Sequence, residues 1–116
     1  MNRQDLVNEV IEIVLECKTG EFKYMTVNWI AEELGVSLPY LSRVFKKETG
    51  STLQKILARE KLFRGYLMLL EERELTVEEV AAALDYTTSH FIYAFSKLFS
   101  LSPGKLRREI EQYENR

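Results

Sequence analysis

Slid by fifty positions, residues 26–53 fall on residues 76–103. Six of the 28 positions are then identical: Thr26/Thr76, Val27/Val77, Ala31/Ala81, Leu34/Leu84, Phe45/Phe95 and Lys47/Lys97. Ile30 falls on Val80 and Leu41 on Phe91. The identities are few but selective. All except the lysine pair lie at a helix cap or on an apolar stripe of three- and four-residue steps. Each copy reads as a short helix, a three-residue turn and a second helix. The small Ala31 and Ala81 let the two helices cross closely, which a helix-turn-helix requires. The 116 residues amount to one domain or two small lobes.

The rest of the chain also reads as helix. Leu6, Val7, Val10, Ile11 and Val14 predict an amphipathic helix over about 3–17, and "CKTGEFKY" is expected to be a loop. Thr26 and Ser37 are caps, Gly35 and Gly50 are stops, and Pro39 sits in a first turn where no amide partner is lost. "STLQ" predicts a capping box at Ser51 and Gln54, opening a helix to about Glu72. Twenty residues at 1.5 Å rise make it roughly 30 Å long. Its second half, "LFRGYLMLL", is apolar on nearly every side, as expected of a connector buried between two lobes. Gly65 inside it predicts a close packing contact. A second capping box, Thr76 with Glu79, opens the second copy. Ser102 and Pro103 then start a last helix, with Leu106, Ile110 and Tyr113 on one side. The expected fold class is all-α, with two helix-turn-helix subdomains joined by a long central helix and about seven helices in all. The expected domains are 1–50, a connecting helix over 51–72, and 73–116.

Charge is segregated within a net value of −2. Between Ser37 and Leu67 there are seven cations (Arg43, Lys46, Lys47, Lys55, Arg59, Lys61, Arg64) and two anions (Glu48, Glu60). The first helix is acidic, and so is Glu71 to Glu79. A basic zone between acidic ones can orient on a polyanion. The chain has no apolar stretch long enough to span a bilayer and no secretory leader pattern. The single cysteine, Cys17, excludes an internal disulfide, fits a reducing cytoplasm and reads as a small core filler. The single histidine, His90, cannot build a metal site alone, and no paired nucleophile and base or phosphate loop occurs. Neither an enzyme nor a cofactor is expected.

The motifs resemble the DNA-binding domain of the AraC/XylS family of bacterial transcription regulators. "IAEELGVSLPYLSRVFKKETG" is similar to that family's first helix-turn-helix, and "FSKLFSLSPGKLRR" to its carboxy-terminal signature. The resemblance covers about residues 5–108. It implies a double-stranded promoter DNA partner, an asymmetric site bound by a single unit, and action through RNA polymerase. The chain has no room for the sensor domain many members carry, so any effector domain is expected outside it. An excised carboxy-terminal piece of a longer protein is the favoured expectation.

In the first copy, Pro39, Tyr40, Ser42, Arg43, Lys46 and Lys47 face out once Leu41, Val44 and Phe45 turn inward. Arg43 is the strongest base reader, because a guanidinium can bridge guanine O6 and N7. The resemblance adds Pro39 and Ser42. Lys46, Lys47 and Tyr40 suit phosphates. In the second copy the resemblance places Ser89, His90 and Tyr93 at base-facing positions, with Tyr93 where the first copy has Arg43. Lys97 is a phosphate candidate, and so is Arg107 at the start of the last helix. Two departures from the family stand out. Asp85-Tyr86 replaces the usual Gly-Phe, and the turn after it is as short as in the first copy. The second unit is therefore expected to be the less charged and less specific partner. The alternative function is a degenerate helical module that binds protein and has weak or non-specific DNA affinity.

Overall fold

The computed structural model describes residues 1–115. Among these the regular structure is helical: α1 (Arg3–Glu16), a 3-10 helix (Thr19–Tyr24), α2 (Val27–Leu34), α3 (Leu38–Thr49), α4 (Leu53–Glu71), α5 (Val77–Ala83), α6 (Thr88–Phe99) and α7 (Pro103–Glu114). Two compact units form, Met1–Ala58 and Arg59–Arg116. The first turns of α4 belong to one and its remaining turns to the other.

In the first unit, α1 and α2 each pack on α3 around Leu6, Val10, Phe22, Ile30, Leu41 and Phe45. The Asn2 side chain caps α1 and Asp5 returns the bond, a capping box that satisfies two orphan amides. Ile11, expected on the inner stripe, is 42% exposed. The segment expected as a loop is a 3-10 helix that buries Phe22. One large side chain in the core is enough to order six residues that carry no helical period. Thr26 and Ser37 cap α2 and α3 as expected. The box at Ser51 and Gln54 does not form. Thr52 caps instead, accepting from the Lys55 amide at 3.2 Å. The Thr49 hydroxyl ties up Ser51, bonding its amide at 3.2 Å and its carbonyl at 3.1 Å.

The second unit is built around Leu69, Val80, Ala81, Leu84, Phe91, Phe95 and Leu106. Its aromatic rings form a chain: Phe91 and Phe95 centroids are 5.5 Å apart, and Phe95 and Phe99 are 4.6 Å apart. Thr76 and Glu79 make the expected box. The second half of α4 is not buried all round, because Phe63 is 55% and Leu67 50% exposed. Four residues apart, they share one stripe. Tyr113 also lies outside the core, while Ile110 packs against it. Arg64, one of the seven cations of the basic zone, is buried, with its Nε 3.7 Å from Glu60 Oε1.

The close contact expected at Gly65 is present. A Cβ there would lie 2.9 Å from two ring carbons of Phe91 and 3.0 Å from Leu84 Cδ1. Both neighbours are fully buried and cannot swing away. Overpacking costs about 1–3 kcal/mol, while alanine gains about 1 kcal/mol of helix propensity over glycine. Gly65→Ala should therefore destabilise the second unit by about 1 kcal/mol, read as a lower urea midpoint. A raised midpoint would show that propensity wins.

The two helix-turn-helix turns have the same main-chain bonding. In the first, Val36 N–H bonds Ala31 C=O at 3.1 Å and Gly35 N–H bonds Glu32 C=O at 3.1 Å. In the second, Tyr86 N–H bonds Ala81 C=O at 2.9 Å and Asp85 N–H bonds Ala82 C=O at 3.1 Å. This pairing is the Schellman motif, which needs a left-handed residue. Gly35 supplies it at φ +66° and Asp85 at φ +63°. Aspartate tolerates that region better than most L-residues but still at a cost. Asp85→Gly should stabilise the second unit by about 0.5–1 kcal/mol, and Asp85→Ala should destabilise it. Denaturant midpoints that fall with both substitutions would contradict this account of the turn.

Candidate nucleic-acid interface

The outer face of α3 is shaped by what its inner face buries. Leu41, Val44 and Phe45 are in the core, so the intervening Pro39, Tyr40, Ser42, Arg43, Lys46 and Lys47 are exposed. The Arg43 guanidinium lies 5.6 Å from the centroid of the Tyr40 ring. Stacking on an aromatic face leaves the guanidinium edge available to donate. Among the described residues Arg43 makes no ion pair. Ser42, Arg43, Lys46 and Lys47 line one shallow recess of about 440 Å³ with Val27, Thr52, Leu53 and Gln54. Neither Thr52 nor Gln54 is marked for this face by the sequence pattern. Their signal was the short connection at 50–52, which turns the start of α4 back beside the end of α3.

On α6, Phe91 and Phe95 are buried while Ser89, His90, Ile92, Tyr93 and Lys97 are exposed. Ser89, Ile92, Tyr93, Ser96 and Lys97 line a second, more open recess. These positions match 39, 42, 43, 46 and 47 of the first copy one for one. Lys97 Nζ lies 6.0 Å from the Tyr93 ring centroid. His90 meets the Tyr86 ring edge-on at 5.0 Å, and Lys61 Nζ lies 5.9 Å from the same ring. Tyr86 is half-buried, and burial pushes its phenol up from the usual tyrosine range. Three cations stand on the outer face of α3 and one on that of α6.

Arg107 is placed differently from the other cations. Its guanidinium points into the second unit. It donates to Leu69 C=O at 3.3 Å, to Glu72 C=O at 3.1 Å and to Leu75 C=O. It therefore closes the carboxy-terminal end of α4 and the turn beyond. No sequence pattern signals this, because the acceptors are main-chain carbonyls.

Two exposed helical faces, each the second helix of a helix-turn-helix, one with three cations and one with Lys97, define a DNA-binding module. The helix-turn-helix domain family matches residues 30–109. A regulatory protein of the Msm operon from Streptococcus mutans is 32% identical over 88 residues, covering 75% of this chain and 31% of that protein. The chain thus spans about a third of that relative's length. The C-terminal domain of AraT, a response regulator from Geobacillus stearothermophilus, has a TM-score of 0.74 at 29% identity, covering 90% of this chain and 84% of that one. The DNA-binding domain of AdpA, solved with a target DNA, shares the fold with a TM-score of 0.71 at 19% identity, covering 98% and 96%. The chain belongs to the AraC-type helix-turn-helix family of DNA-binding transcription regulators. Among the described residues no helix is long and apolar enough to cross a membrane.

Proposed function

We propose that this chain binds a specific double-stranded promoter sequence through both outward faces and regulates transcription initiation through RNA polymerase in the bacterial cytoplasm. The observation that carries this reading is the repeat of one exposed register on α3 and α6. Pro39, Ser42 and Arg43 read bases from the first face, and Ser89, His90 and Tyr93 from the second. Tyr40, Lys46, Lys47 and Lys97 hold phosphates, while Arg107 is left out because its donors are occupied inside the fold. The same outward register on α3 and α6 supports two recognition helices in successive major grooves. The two units occupy the whole chain, so an effector would act through a different domain.

Salt titration separates this reading from a protein-binding helical module. With three lysines on phosphates, log affinity for a promoter duplex should fall against log salt with a slope of about −3 or steeper. Affinity indifferent to salt, or no binding to any promoter pool, would favour the protein-binding module.

A further inference from the structure

We propose that the outer face of α6 reads thymine 5-methyl groups through Ile92, with Tyr93 lining the same recess, so that the half-site meeting the second unit is defined by thymines. This rests on the DNA-binding reading above.

Ile92 is 39% exposed and takes no part in the core that holds Phe91 and Phe95 on either side. A single exposed aliphatic residue is ordinary on a protein surface. The location of Ile92 is not. It lines one recess with Ser89, Tyr93, Ser96 and Lys97, and its counterpart Ser42 lines the recess of Arg43 in the first unit. Ile92 therefore occupies the register proposed to face bases.

An isoleucine there has nothing to donate or accept. Guanine O6 and N7, adenine N6 and N7 and cytosine N4 all need a polar partner in the major groove. Only the thymine methyl rewards an aliphatic side chain. A guanine opposite Ile92 would lose water from O6 and N7 without replacement. The Tyr93 ring extends the apolar surface by one position. Lys97, with its ammonium 6.0 Å from the centroid of that ring, keeps a cation at the edge of the patch for the adjacent phosphate. The two helices thus differ in the chemistry they offer, a guanidinium on α3 and a hydrocarbon on α6.

The test starts from a duplex selected out of randomised DNA. Each thymine is replaced in turn by deoxyuridine, which removes the methyl group and nothing else. At one or two thymines outside the Arg43-dependent bases, wild-type affinity should fall about fourfold per methyl. Ile92→Ser, copying Ser42 at an exposed position, should bind the thymine and uracil duplexes equally, with unfolding unchanged. Equal wild-type affinity for both duplexes, with salt dependence intact, would overturn this inference alone. Uracil sensitivity that survives Ile92→Ser would overturn the assignment to Ile92. Loss of all salt-sensitive binding would overturn the DNA-binding reading with it.

Discussion

Replacing Arg43 with alanine should lower affinity for the specific site by about 1–3 kcal/mol, roughly fivefold to 150-fold, and flatten the preference at one base pair. The side chain is exposed on α3, lies over Tyr40 and makes no ion pair among the described residues. Its loss leaves no buried group unsatisfied, so stability should not change. Binding to a scrambled duplex should weaken far less than binding to the cognate one, because backbone contacts carry no sequence information. Arg43→Lys should not restore the preference, since an ammonium cannot make the paired bonds of a guanidinium. Anisotropy titrations with both duplexes read all of this. A uniform loss on both would make Arg43 a phosphate contact.

Replacing Arg107 with alanine should destabilise the second unit by about 2–3 kcal/mol. Bonds from a charged donor are worth about 1.5–3 kcal/mol each, and a carbonyl left buried without a partner costs about 1–3 kcal/mol. The side chain is only half-buried, so water recovers part of the loss. The last carbonyls of a helix have no partner of their own, and a cation there also complements the helix dipole. Arg107→Lys should recover only part, having no fork to reach Leu69, Glu72 and Leu75 together. Urea unfolding followed by circular dichroism gives the number. If stability is unmoved and the salt slope of DNA binding falls by about one, Arg107 is a phosphate ligand instead.

Much of the fold was legible because it rests on local chemistry. Thr26, Ser37, Thr76 and Ser102 cap where their side chains can reach an amide three residues on. The repeat carries the register of both outer faces, since burial of Leu41 and Phe45, or Phe91 and Phe95, determines what turns outward. Each miss has its own physical cause. Ser51 and Thr52 are adjacent hydroxyl residues that can both cap. Thr49, a third, ties up Ser51. The apolar run in α4 does not say which side meets solvent, and Phe63 and Leu67 do. Phe22 is one large residue without a periodic partner. Arg107 answers main-chain carbonyls, which leave no trace in the sequence.

Selection on randomised duplex DNA decides whether both outer faces read sequence. A salt-sensitive bipartite site with two separate elements is expected. One should be sharp and lost with Arg43→Ala. The other should be weaker and defined by thymines. Recovery of two equally sharp elements, or of no sequence above background, would contradict that expectation.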